Sequence, residues 1–171
     1  MNKKQKGFSL IELLIVVAII LIIAAIAIPN LLRARMAANE SSAVGSVRTM
    51  VTSQVTYQST WGLGFAPTLV ALGTPAGGCG VASAAGACLI DPVLTTGIKT
   101  GYNLNTGAAG GAGTAASPFT TFGVDAWPIT VGSTGQRSFC SDETGVIHFD
   151  PLGAAAGTTD VACEAVATIL Q

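Results

Sequence analysis

Residues 7–30 read GFSLIELLIVVAIILIIAAIAIPN. Every side chain from position 13 to position 28 is apolar, with one acid, Glu12, just ahead of the run and Pro29 just behind it. A helix that is hydrophobic all round belongs in lipid or in the packed centre of a larger assembly. Counted from Phe8 to Ile28 the span is 21 residues, close to the roughly 20 needed to cross a bilayer. An ionisable group in hydrocarbon costs about 2.5–3.5 kcal/mol at a helix centre, so Glu12 marks function and calls for a cationic partner. In a simple anchor the same acid would snorkel to the interface.

Ahead of the run, Lys3, Lys4 and Lys6 supply three of the chain's eight basic residues. Positive charge flanking a span marks its cytoplasmic side, so the chain beyond the span is expected on the exported side. The 171 residues leave room for one span and one modest domain. That domain is poor in charge and rich in glycine and alanine, which predicts a small, loop-rich body. Without the leader lysines the basic side chains fall from eight to five, against nine acidic ones, and no basic face for nucleic acid emerges.

Cys79, Cys88, Cys140 and Cys163 all lie in the exported part. An even number in an oxidising compartment reads as two disulfides, with three connectivities open to them. The pairing Cys79–Cys88 and Cys140–Cys163 is favoured because each closes a local loop. A zinc site is a poor reading, since there is no CxxC and His148 is the lone histidine.

The charged leader, the apolar run and Ala25-Ile26-Ala27 also fit an ordinary secretory signal. Against removal there stand Glu12, Pro29 and a helical pattern that continues through the cut. Lys6-Gly7-Phe8-Ser9-Leu10-Ile11-Glu12-Leu13-Leu14, with the long apolar helix after it, instead resembles the prepilin signature of type IV pilins and type II secretion pseudopilins. The likeness rests on a glycine cut site, an aromatic first mature residue, an acid five residues into the mature chain and a late proline. It covers roughly the first third of the chain.

That resemblance implies cleavage between Gly7 and Phe8 by a prepilin peptidase, which also methylates the new Phe8 amine. Gly7, without a side chain, suits a protease pocket. It further implies that Glu12 pairs with the Phe8 amine of a neighbouring subunit, offsetting its desolvation, and that Pro29 kinks or melts the helix in a filament. The implied fold is α+β and type IV pilin-like: a long N-terminal α-helix packed on a small C-terminal antiparallel β-sheet with disulfide-closed loops. The implied organisation is a leader over 1–7, a membrane and filament-core helix over 8–29, an amphipathic continuation over 30–62 and a β-rich head over 63–171.

The implied function is that of a non-enzymatic pilin subunit. It begins as a single-pass inner-membrane precursor with a cytoplasmic N terminus and ends in a periplasmic or extracellular filament. Its implied partners are copies of itself in a helical homopolymer, the peptidase and methyltransferase, an inner-membrane platform, a separate ATPase, and membrane lipid before assembly. A pseudopilin is the alternative within the family; Cys140 and Cys163, similar to the disulfide-bounded loop of many pilins, favour the pilin. From another class, the rival is a membrane-anchored exported binding module that does not polymerise.

Beyond the apolar run, Val44, Val47, Val51 and Val55 form a narrow stripe at helical spacing, expected to face the sheet. Arg33, Arg35 and Glu40 are read either as a solvated face near the interface or as subunit-to-subunit pairs. Asn39-Glu40-Ser41 fits N-x-S but is treated as chance. Gly62 and Gly64 end the helix. Residues 65–116 read as connection that packs little, with Leu89-Ile90 and Tyr102-Asn103-Leu104 as short strands or turns. Strands are expected over 119–131, 136–140 and 146–149, the last two joined by the turn residues of 141–145 into an antiparallel hairpin. A further strand or short helix over 161–169 would return Cys163 to the sheet.

No nucleophile has a recognisable activating base, and no phosphate loop or metal-spaced histidine pair occurs. His148 is expected to be a partly exposed strand residue. No cofactor is expected. Calcium is the one ion the resemblance raises, through Asp142, Glu143, Asp150, Asp160 and Glu164, although their spacing matches no calcium loop.

Overall fold

The computed structural model describes residues 9–74, 78–155, 157, 163, 165, 169 and 170. The chain divides into two units, Met1–Arg35 and Met36–Gln171. Helix α1, Leu10–Trp61, contributes to both and is 52 residues long.

In the first unit, α1 opens with a local device. The Leu13 N–H donates to the Ser9 carbonyl at 3.2 Å, which makes Ser9 the N-cap. The Ser9 N–H in turn donates to Glu12 Oε2 at 3.0 Å. This is the carboxylate half of a capping box, in which an acid at the third helical position satisfies a donor that the helix cannot. After Glu12 the helix is apolar on every side, and its large side chains lie open: Leu14 is 63% exposed and Ile22 64%. Pro29 sits inside α1 without ending it, although it removes one backbone donor.

In the second unit, α1 continues to Trp61 and stops at Gly62, whose φ of 66° lies in the left-handed region that glycine enters at little cost. The sheet is a five-stranded antiparallel meander: β1 (Ile98–Lys99), β2 (Tyr102–Ala109), β3 (Thr121–Pro128), β4 (Ser138–Asp142) and β5 (Ile147–Asp150), each paired with the next. Strand alternation puts Tyr102 and Leu104, then Phe122, Val124 and Ala126, then Phe139 on one face. They share one apolar core with Ala43, Val47, Met50 and Tyr57 of α1. Full burial of side chains such as Phe122 and Phe139 contributes roughly 1.5–3 kcal/mol each. The hairpin of β4 and β5 forms as expected, with Phe139 opposite Phe149 and Cys140 opposite His148.

Three expectations need correction. The face of α1 turned to the core runs through Ala43, Val47, Met50, Gln54 and Tyr57, so the valine stripe is rotated: Val47 is buried, Val44 and Val51 are partly covered, and Val55 is 53% exposed. Residues 65–116 pack well. They hold two short helices, α2 (Leu69–Leu72), capped by Thr68, and α3 (Pro92–Thr95), capped by Asp91. They also bury Ala66, Leu72, Ala87, Ile90 and Leu94. Small apolar residues scattered among glycines give no period, so the sequence pattern hides this part of the core. Last, of the two short strands or turns expected, Tyr102-Asn103-Leu104 is strand, as the start of the longer β2, whereas Leu89 and Ile90 are irregular chain whose N–H groups donate to the Leu72 carbonyl.

Both disulfides join the locally paired cysteines. Cys79–Cys88 spans a Cα separation of 5.9 Å and Cys140–Cys163 one of 5.7 Å. Cys163 is fully buried against β4. Ile169 pairs with His148 of β5, and the Leu170 N–H donates to the Ile147 carbonyl at 2.8 Å. The remainder of the element expected over 161–169 lies outside the described residues, apart from residue 165.

Candidate functional site

The candidate site is the N-terminal surface of α1, and it is built from one acid and a helix of uncovered apolar side chains. Glu12 stands in the first turn. It accepts the Ser9 N–H, and the N-terminal end of a helix favours negative charge. A carboxylate in this position has accepting capacity left over, since its two oxygens offer about four lone pairs. Gly7 and Phe8, the expected processing pair, lie outside the described residues. Pro29 is placed within a continuous helix. The S-x-x-E spacing of Ser9 and Glu12 is the sequence signal for this local bond.

The second unit takes Glu40 out of the charge group in which the sequence placed it. Glu40 Oε2 accepts from Nε and Nη2 of Arg137 at 2.9 and 2.7 Å, and Oε1 accepts from the backbone N–H groups of Gln136 and Arg137 at 2.9 and 3.2 Å. It is therefore an internal tie between α1 and the start of β4, neither a solvated residue nor a contact reserved for another subunit. Burial by itself raises its carboxyl pKa, but the hydrogen bonds from Gln136 and Arg137 and the Arg137 charge outweigh that, and the carboxyl is held below its ordinary value of 4.5. The Arg137 guanidinium also lies 5.6 Å from the Phe139 ring centre and 5.4 Å from that of Phe149, within cation–π range. Tyr102, whose hydroxyl donates to the Arg137 carbonyl at 2.8 Å, has its pKa pushed up by burial and then by the Glu40 charge.

Of the carboxylates considered for calcium, Asp142 and Asp150 accept hydrogen bonds within turns, and Glu143 is exposed. Asp142 Oδ1 accepts from the backbone N–H of Thr144 at 2.9 Å and from its hydroxyl at 2.5 Å, and the two oxygens of Asp150 accept from the N–H groups of Leu152 and Ala154. Asp160 and Glu164 lie outside the described residues. Among the described residues, no three His, Cys, Asp or Glu side chains gather as a metal cluster. His148 is half-buried in β5 and opposite Cys140. The Asn39 amide donates to the Thr134 carbonyl at 2.8 Å, so that nitrogen is already engaged within the fold.

The model of the prokaryotic N-terminal methylation motif matches residues 2–28. The chain is 52% identical over 56 residues to the type IV wide pilus major component PilA4 of Thermus thermophilus, a stretch covering 33% of this chain and 43% of that protein. It is 45% identical over 58 residues to the type IV major pilin protein PilA of Myxococcus xanthus, covering 34% and 26% respectively. The match thus spans less than half the length of these curated relatives. No solved structure matches the chain. With a long N-terminal helix, an antiparallel sheet, two disulfides and this motif at its head, the chain bears the prokaryotic N-terminal methylation signature and counts type IV pilins as its relatives.

Proposed function

We propose that this chain is the structural subunit of a type IV pilus-like filament. The observation that carries the reading is the methylation motif over residues 2–28 set on a helix whose apolar side chains lie uncovered in the single chain. In the precursor these side chains meet lipid; in the filament they meet the helices of other subunits. Peptidase action between Gly7 and Phe8 frees an amine, and Glu12 of a neighbouring copy pairs with it. Heterologous contacts repeated without closure generate a helical polymer. The subunit works by assembling, with platform and ATPase supplied by other proteins, because its sequence carries no phosphate loop.

Electron microscopy of the shed surface fraction, with antibody against residues 36–171, tests this reading. Labelled filaments in the wild type, and none when the prepilin peptidase is deleted, are expected. Chain confined to the membrane fraction of the wild type would instead support an anchored binding module.

A further inference from the structure

Among the described residues, Arg33 and Arg35 are left without an acid once Glu40 is committed to Arg137. Among the described residues neither arginine enters an ion pair or a side-chain hydrogen bond. Both are exposed, and Glu40 lies seven and five positions on, outside the three- and four-residue spacings at which helix side chains meet. Their depth follows from helix geometry. At about 1.5 Å per residue, Arg33 stands about 7.5 Å and Arg35 about 10 Å beyond Ile28 along the axis. The polar headgroup zone on each side of the hydrocarbon is about 5–7 Å thick, and an arginine side chain reaches back towards it. The two residues are separated by about 200° around the helix. One neighbouring helix would reach one of them, whereas a ring of headgroups around the helix reaches both.

We propose that Arg33 and Arg35 form a collar that binds the phosphodiester headgroups of the exported leaflet and sets the depth of the unassembled subunit. The collar rests on the reading of the precursor as a membrane-inserted subunit. Guanidinium suits the task because its planar fork of donors matches two phosphate oxygens at once. The collar acts opposite the leader, where Lys3, Lys4 and Lys6 outnumber it and keep the orientation. Assembly must release these headgroups when the subunit leaves the bilayer.

The test is solid-state NMR on the full chain in vesicles of phosphatidylethanolamine and phosphatidylglycerol, with 13C at the guanidinium carbons and dephasing by lipid 31P. Wild-type chain should show dephasing, and R33Q/R35Q should lose it. Inserted wild-type chain without dephasing, or dephasing undiminished in R33Q/R35Q, overturns the collar. Should the double variant fail to insert, the single variants R33Q and R35Q must each lose part of the dephasing, and full dephasing in both is equally contrary. If wild-type chain does not sediment with the vesicles, the membrane reading itself fails and the collar with it, an outcome distinct from insertion without contact.

Discussion

The Glu12 carboxylate accepts the Ser9 backbone N–H at 3.0 Å, so the acid expected to reach another subunit first closes the end of its own helix. The two roles separate by substitution. In E12Q the side chain still accepts from Ser9 but loses the charge that pairs with an amine; in E12A both are lost. Both variants should insert at least as well as the wild type, because an intramembrane acid costs about 2.5–3.5 kcal/mol at a helix centre. Filament yield should fall by about tenfold or more in each, since about 1.4 kcal/mol lost per contact is already a factor of ten. Quantitative blotting of sheared filaments against membrane fraction checks this. Normal yield from E12Q would make capping the sole task of Glu12.

The tie between Glu40 and Arg137 predicts an acid-sensitive head. A carboxyl held below its ordinary 4.5 in the fold binds a proton more weakly there than in the unfolded chain. Its stabilisation is therefore complete above about pH 4.5 and fades as pH falls through the lower folded value. The Glu40 side chain is 11% exposed and that of Arg137 39%, so R137A should cost about 2–3 kcal/mol, between the surface and fully buried cases. Thermal unfolding followed at several pH values should show a smaller loss on acidification in E40Q than in the wild type.

Gln54 is fully buried, and its side chain spans α1 and the segment before α2. Nε2 donates to the Ala66 carbonyl and to the Thr106 hydroxyl at 2.9 Å each, while Oε1 accepts the Ala66 N–H at 2.7 Å. Replacing Gln54 by leucine keeps the bulk and strands both backbone groups of Ala66. A loss of about 2–4 kcal/mol in chemical denaturation is expected, because each orphaned buried group costs about 1–3 kcal/mol.

These ties mark the boundary of what the sequence showed. The long helix, its glycine stop, the β4–β5 hairpin and the local disulfides were legible because each has a short-range signature: an unbroken apolar run, a left-handed residue, turn chemistry or a small loop. Gln54 and Glu40 were not, since their partners lie 12, 52 and about 97 residues away and a polar residue on a helix reads as solvated until the opposing element is known. The same gap rotated the predicted valine stripe. Val55 satisfies the period, but Gln54 takes an inward position because Ala66 and Thr106 stand there to receive it, and Met50 joins the buried core.

The two disulfides should differ in both access and worth. Cys140 and Cys163 are fully buried, while Cys79 is exposed. Mild reductant under native conditions should open Cys79–Cys88 first, since exchange requires access to sulfur. With sequence separations of 9 and 23 residues, the longer loop gains about 3.4 kcal/mol and the shorter about 2.6 kcal/mol by chain entropy. Timed alkylation with peptide mass mapping gives the order, and C79S/C88S and C140S/C163S give the energies.

In the proposed subunit, residues 1–7 are a leader and the mature chain begins at a modified Phe8. Mass spectrometry of the mature N terminus, on chain recovered from the cell surface, tests it most directly. The predicted result is a terminal peptide starting at N-methylated Phe8. A terminus at Ile28 would make the apolar run an ordinary secretory signal, and an intact Met1 would make it a plain anchor; either result contradicts a filament subunit.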